Sequence, residues 1–412
     1  MKAEIITIGD ELLIGQTIDT NSAWIASELS KLGIDTYQIT SISDKRDHIL
    51  KTLSEVTGRS DIVLITGGLG PTSDDITKQV LCEYFETRLV ENKEVLANIE
   101  DILKRRNFTM NENNRKQAEV PENCMILNNN VGTAPGMWFE KMGTIFISMP
   151  GVPPEMKYIM SSHVLPELKK RFTSQIIIHK NIMTYGVPEA KLSEMLSGFE
   201  AGLPESIKIA YLPSYGIIKL RLSGRGINRE AIEEVLEEQV AQLHNIIPDL
   251  IYGEEEESLE MKIGSLLRER NATLCTAESC TGGKVSQMIT SVAGSSDYYK
   301  GSLVAYNNDI KTGILNVPEN YLVQFGAVSR ETVTAMAEKA RELFSTDFAL
   351  ATSGIAGPGG GSEDKPVGTI WIAAASAVKT TAERYIFGKD RNFNIMRFSN
   401  AALDLLRRQI IS

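Results

Sequence analysis

No histidine follows His244, and only His48, His163 and His179 precede it in a chain of 412 residues. The C-terminal part therefore cannot build a Ser-His-Asp triad from its own side chains. A nucleophile there needs Lys, Tyr or a carboxylate as its base. Cysteine is scarce as well. Cys82, Cys124, Cys275 and Cys280 are too few and too scattered for a disulfide framework or a Cys-x-x-Cys zinc site. No apolar run approaches the ~20 residues that span a bilayer, and Met1-Lys2-Ala3-Glu4-Ile5 lacks the apolar core of a signal peptide. The expected location is cytoplasmic, with no membrane partner. Positive charge is in deficit: 43 Lys and Arg stand against 53 Asp and Glu, for a net charge of −10. That balance argues against direct nucleic-acid binding. Local backbone N–H groups can still hold a nucleotide phosphate.

What is present reads as a globular protein, 42% apolar and 23% charged. Its length accommodates roughly two to four domains. Residues 1–171 alternate strand and helix. Apolar strands are expected at 3–8, 36–42, 61–66 and 144–149. Helices are expected from the capping residues 19–22 to 32, and over 46–57, 73–85 and 92–106, with a last one after Pro153-Pro154. Such alternation predicts a doubly wound, mostly parallel sheet, which binds ligands beyond the carboxyl ends of its strands. Residues 172–253 read as a small α+β module with strands at 175–185, 207–212 and 216–222 and helices at 189–196 and 228–243. It holds no cluster of titratable groups suited to catalysis and reads as a spacer or docking module. The acid run at 254–257 reads as a solvated helix start. Residues 254–412 return to an α/β pattern and are long enough for their own core.

Two stretches carry chemistry. In Ala277-Glu278-Ser279-Cys280-Thr281-Gly282-Gly283 an apolar strand gives way to a helical pattern of Val285, Met288, Ile289 and Val292. Free N–H groups and the positive end of a helix dipole gather at such a corner. Ser279 suits a nucleophile beside an oxyanion site there, and equally suits a helix N-cap. Cys280 is a rival nucleophile, because a helix start lowers a thiol pKa; it also suits a small packed position. Lys284 does not complete a P-loop, since Glu278 and Val285 occupy the places of a glycine and a Ser/Thr. Lys311 follows a strand, 301–306, expected to neighbour the Ser279 strand. It is a surface residue or a base, and a base needs its pKa lowered.

The second stretch is Gly67-Gly68-Leu69-Gly70-Pro71-Thr72-Ser73-Asp74-Asp75-Ile76-Thr77, between a buried strand and a helix start. It is neither a P-loop nor Gly-x-Gly-x-x-Gly. Its glycines allow backbone N–H groups to approach a phosphate, or simply make a turn. Asp75 and Asp44 both fall at strand ends. Carboxylates beside a bound phosphate call for a divalent cation such as Mg²⁺ between them. Asp74 reads as a helix cap. Asp10 and Glu11 make a third acidic point.

Gly9-Asp10-Glu11-Leu12-Leu13-Ile14-Gly15, Asp19-Thr20-Asn21 and the Thr66 to Thr77 loop resemble the molybdopterin-binding fold of the CinA family. Gly132-Thr133-Ala134-Pro135-Gly136 and Pro150-Gly151-Val152-Pro153 fit it too. The resemblance implies divalent-metal-dependent hydrolysis of ADP-ribose to AMP and ribose 5-phosphate, with Asp44 and Asp75 as acidic residues and metal ligands. Asp10, Glu11, Asn21, Gly67, Gly68, Gly70 and Thr72 would bind substrate. Related sites bind pterin.

Ala277 to Gly283, Gly294-Ser295-Ser296, Gly326-Ala327-Val328-Ser329, Ser353 to Pro358 and Lys365-Pro366-Val367-Gly368-Thr369 are similar to the C-terminal domain of the same family. That domain is known as nicotinamide mononucleotide (NMN) deamidase, a Ser/Lys amidohydrolase that needs no metal. Residue by residue, the nucleophile falls on Ser279, the base on Lys311, a supporting tyrosine on Tyr306 and a substrate-facing arginine on Arg391. Thr281, Gly282, Gly283, Gly354 and Gly357 would cradle the substrate phosphate. Many relatives read Phe-x-Gly-Asp-Arg near Arg391, where this chain has Phe387-Gly388-Lys389-Asp390-Arg391. Taken together, the resemblances imply a bifunctional hydrolase of pyridine-nucleotide salvage and a homo-oligomer, a dimer. Two alternatives follow from the same family. One is a pterin-binding N-domain beside an active deamidase. The other is a non-catalytic competence or DNA-damage protein that contacts a recombinase.

Overall fold

The strand Ile62–Thr66 is buried at all five positions. A run that is apolar on both faces is stable only inside a sheet covered by helices on both sides. The structure, a computed structural model, describes residues 1–72, 75–172 and 176–412. Contacts divide it into two compact units, Met1–Ile178 with Arg225–Ile232, and His179–Gly224 with Glu233–Ser412.

In the first unit Ile62–Thr66 lies at the centre of a six-stranded sheet. The order is Asp35–Ile42, Lys2–Ile8, Ile62–Thr66, Thr144–Met149, Gly136–Lys141, Met125–Leu127. The first four strands run parallel and the last two antiparallel. Ile25 and Leu29 cover one face together with Met156, Ile159 and Met160. Ile49, Leu53, Val80 and Leu81 cover the other. The unit is thus a doubly wound α/β fold. The strands at 125–127 and 136–141 are not predicted from the residues. They are short, and they form an antiparallel edge that local periodicity does not distinguish from a loop.

In the second unit Ile207–Ser214, Ile217–Gly226, Ile176–Tyr185 and Ile251–Glu254 form a four-stranded sheet in that order. A five-stranded sheet follows, ordered Tyr299–Val304, Leu274–Glu278, Phe348–Gly354, Thr369–Ala375, Thr380–Ile386. Its first three strands are parallel, as expected for the neighbour of the Ser279 strand, and the last two are antiparallel. The helix Arg391–Ile411 packs on one face through Phe398, Leu403 and Leu406. The helix Arg330–Phe344 packs on the other through Val333, Met336 and Ala340. Tyr185 and Tyr252, from the four-stranded sheet, enter the same core as Leu259 and Phe398.

Two expectations change. Glu254 closes a strand, so the acid run does not start a helix. The helix starts at Leu259, where Ser258 accepts from the Met261 N–H at 3.4 Å. After the Gly67 loop the helix is Thr77–Tyr84, so Asp75 stands before it rather than in its first turn. The expected opening at Ser73 and Asp74, and the strand start at Gln175, lie outside the described residues. Among the described residues no helix is long and apolar enough to cross a membrane.

Candidate functional site

The strand Leu274–Glu278 ends on a carboxylate with no exposure to solvent. Glu278 accepts from Thr281 Oγ1 at 2.7 Å, and from the N–H groups of Gly283, Val285 and Ser286 at 3.0, 3.1 and 2.7 Å. The helix Lys284–Thr290 therefore receives its cap from Glu278. Ser279 is not the N-cap. It lies in a turn five residues before the helix, and Gly282 and Gly283, with φ of +62° and +96°, carry the chain round the carboxylate. Thr281 also bonds to Thr352 and is buried. These three residues build the turn and do not line the cavity in front of Ser279.

That cavity, about 210 Å³, is lined by Ser279, Tyr306, Asn308, Lys311, Gly354 and Arg391 among others. The structure thus gathers four side chains that the sequence places over more than a hundred residues. Lys311 is 1% exposed. Its ammonium donates to the carbonyls of Ala305 and Tyr306 at 2.9 and 3.2 Å. Ser279 Oγ and Lys311 Nζ share no hydrogen bond. Burial pushes the lysine pKa below its ordinary value, against a smaller opposing effect of Cys280. Arg391 donates to the Gly357 carbonyl at 2.7 Å and to the Tyr306 hydroxyl at 3.2 Å. Tyr306 is 60% exposed and stands at the mouth. The altered turn before Arg391 leaves that residue at the cavity, and Asp390 caps its helix by accepting from the Phe393 N–H at 2.9 Å. Gly354 is needed for packing, since a Cβ there would lie 2.7 Å from the Thr369 carbonyl oxygen.

Cys280 departs from expectation. Its thiol is buried, and burial drives its pKa up to about 12, above that of a free cysteine. A thiol held protonated is a poor nucleophile. The expected lowering by a helix start fails because the start of Lys284–Thr290 is already occupied by Glu278.

In the first unit Asp44 meets Asp10 and Glu11. Burial raises the Asp44 pKa, and a hydrogen bond with Asp10 and the charges of Asp10 and Glu11 add to it. Asp75 groups differently. It accepts from the Thr72 N–H at 3.1 Å and from the Thr72 hydroxyl. It lines a cavity of about 500 Å³ with Gly70, Thr72, Lys78 and Gln117. Gly67 and Gly68 make close backbone approaches; a Cβ on Gly67 would fall 2.1 Å from the Ile8 carbonyl oxygen. Asn21 ties the loops together, donating to Thr66 Oγ1 at 3.2 Å and to the Gly151 carbonyl at 2.7 Å. Among the described residues no group of three or more His, Cys, Asp or Glu is placed to hold a metal ion. Two acidic oxygens sharing a hydrogen bond, as at Asp44 and Asp10, nevertheless suit Mg²⁺, which takes one or two carboxylates and keeps its waters.

Lys78 is not predicted from the residues. It is buried, donates to the carbonyls of Gln117 and Glu119 at 2.8 and 3.0 Å, and has its pKa lowered to about 8 by burial. Its position next to Thr77 in the Gly67 motif is the only local signal, because its partners come from about forty residues away in sequence. Asn308, the first residue of the helix Asn308–Gly313 that carries Lys311, is likewise missed.

A loop site at the strand ends of one unit and a serine–lysine cavity in the other define a modular two-site α/β protein. Three family models cover the chain: "Probable molybdopterin binding domain" over residues 4–170, "Damage-inducible protein CinA KH domain" over 179–253 and "CinA C-terminal domain" over 256–410. It is 50% identical to a CinA-like protein of Cytophaga hutchinsonii over 408 residues, 99% of this chain and 98% of that one. It is 47% identical to a CinA-like protein of Flavobacterium psychrophilum, over 100% and 99% of the two chains. A crystal structure of competence/damage inducible protein CihA from Agrobacterium tumefaciens is 35% identical and covers 37% of this chain and 94% of that one, with a TM-score of 0.37. The chain belongs to the CinA family, and that membership suggests an enzyme.

Replacing Glu278 by Ala strips the acceptor from four donors. Each buried donor left unpaired costs ~1–3 kcal/mol, so a loss of about 3 kcal/mol or more is expected. Urea unfolding followed at Trp371, in the same five-stranded sheet, measures it. An unchanged midpoint would show that the turn does not depend on this carboxylate.

Proposed function

We propose that the chain is a two-site hydrolase of pyridine-nucleotide breakdown products. One reaction is metal-independent deamidation of NMN to nicotinate mononucleotide and ammonia at Ser279. The other is metal-dependent hydrolysis of ADP-ribose to AMP and ribose 5-phosphate in the first unit. The observation that carries the reading is the buried Lys311 beside Ser279 in one cavity, in a region that contains no histidine. A desolvated lysine is neutral more readily and acts as a general base.

In the first reaction neutral Lys311 takes the Ser279 proton as Oγ attacks the amide carbon. The N–H groups of Cys280 and Thr281 have no acceptor oxygen among the described residues. They would hold the oxyanion, each such donor being worth about 3 kcal/mol. Ammonia leaves with a proton returned from Lys311. Water, deprotonated by the same lysine, then releases the carboxylate from the acyl-serine. The cavity is smaller than the roughly 300–1,000 Å³ of common ligand pockets, so it encloses the carboxamide end. The ribose phosphate then lies at the mouth, where Arg391 meets it.

For the second reaction the Asp44 and Asp10 corner would hold a divalent cation such as Mg²⁺, which when bound polarises a phosphoryl oxygen and supplies an acidic water. The amides of Gly68, Leu69 and Gly70 would bind the phosphoryl oxygens, and Asp75 fixes that loop by accepting from the Thr72 N–H. The family description of residues 4–170 favours a second reading for this unit, in which it binds a pterin phosphate without hydrolysis.

Ser279→Ala is expected to abolish ammonia release from NMN with an unchanged melting temperature, and Cys280→Ala to retain most of it. The opposite pattern transfers the nucleophile to Cys280. The rate should rise as Lys311 loses its proton. Burial stabilises the neutral form, so this limb of kcat/KM lies below the ordinary lysine value of 10.5. A pH profile in which the limb sits at or above that value would remove Lys311 as the base. Asp75→Ala should eliminate Mg²⁺-stimulated AMP formation from ADP-ribose and spare deamidation. Equal loss of both would contradict separate sites, and no AMP from the unaltered chain would leave the pterin reading.

A further inference from the structure

The second unit contains a cavity that neither proposed reaction uses. It lies where the four-stranded sheet meets the C-terminal helix, and its volume is about 660 Å³. We propose that this cavity binds an aromatic mononucleotide, with its base on Tyr385 and Phe387 and its phosphate on Arg397. The inference is independent of both reactions proposed above.

Arg397 carries the charge argument. It is half-buried on the helix Arg391–Ile411, and its Nε is shielded from solvent without a hydrogen-bond partner. It forms no ion pair among the described residues, and of the three acids in the wall, Asp249, Glu383 and Asp404, the last two are bound to other arginines. Glu383 accepts from Arg408 at 2.9 Å through both of its oxygens. Asp404 accepts from Arg407 at 2.8 Å and from Arg408 at 3.0 Å. A donor nitrogen kept from water without a partner is costly, and phosphate matches the guanidinium's fork of donors. Arg397 also lines an adjoining cavity of about 560 Å³ that shares Val187, Pro188 and Gly216 with the first. The anion can therefore reach it from an open side.

The ring argument is separate. Tyr385 and Phe387 lie with ring centroids 5.9 Å apart and planes 15° from parallel. The Tyr385 hydroxyl bonds to Glu383, which fixes the ring. Both rings line the cavity or pack beside it, as does Tyr185, which is 8% exposed and whose hydroxyl has no partner among the described residues. A flat heterocycle stacks on such a platform and offers ring nitrogens to an unpaired phenol. The combination of one unpaired cation, one unpaired phenol and a fixed aromatic platform suits a nucleotide better than a simple sugar phosphate or a fatty chain.

The test is photolabelling of the full chain with 8-azido-AMP, with the labelled peptides identified by mass spectrometry. Mapping is needed because AMP is also a product proposed for the first unit. Label is expected on the peptides holding Tyr185 or Tyr385 and Phe387. AMP should compete for it at least tenfold better than adenosine or ribose 5-phosphate. Arg397→Gln should reduce that label tenfold or more and leave label at the Gly67 loop unchanged. Label confined to the Gly67 loop or to the Ser279 peptide would overturn the proposal, as would equal competition by adenosine or an unaffected Arg397→Gln chain. Should the melting temperature of that variant fall, Tyr385→Leu replaces it under the same criteria.

Discussion

The Glu278 carboxylate is the interaction on which the C-terminal cavity depends. A charge removed from water survives only when its lone pairs are filled, and four donors fill them here. All four come from the eight residues that follow, so the carboxylate winds the chain into a turn before the helix can start. The turn leaves Ser279 at the strand end, in the wall of the cavity. It also takes the helix start away from Cys280, whose thiol is buried and stays protonated. One buried acid thus gives two adjacent candidate nucleophiles of the same cavity different surroundings.

The first unit solves a different problem with backbone instead of charge. Gly67 and Gly68 let the loop after the central strand lie against Ile8 and Thr77 at distances no side chain permits. That contact joins two strand ends, and Asn21 adds Gly151 to them. The acidic residues then sort by strand. Asp44 falls in with Asp10 and Glu11, and Asp75 turns back on its own loop through Thr72. The two candidate sites thereby lie in different units, with neighbouring carboxylates in one and a desolvated amine in the other.

Much of the architecture is legible in the residues. Lys2–Ile8, Ile62–Thr66 and Thr144–Met149 in the first sheet, and Leu274–Glu278 and Phe348–Gly354 in the second, are buried along nearly their whole length, and such runs are read correctly because burial on both faces demands them. The antiparallel edges are less legible. Ile251–Glu254 takes its strand character from a neighbour distant in sequence, and Gly136–Lys141 from a hairpin with Thr144–Met149. The motif around Ser279 is visible as a strand–helix corner, but its cap is misassigned, because a serine beside a glutamate gives no sign of which oxygen receives the helix amides.

The sequence by itself determined the two α/β regions, the loop glycines, and the need for a base other than histidine after residue 244. These follow from composition, order and local periodicity, which tertiary contacts do not alter. Only the tertiary structure decided that Lys311 is stripped of water beside Ser279 and that Lys78 is buried on the carbonyls of Gln117 and Glu119. It alone decided that Arg397 is left without a counter-ion at a cavity wall. The reason is common to all three. A side chain's charge is governed by how much solvent surrounds it and which partners face it, and both are set by segments far away along the chain.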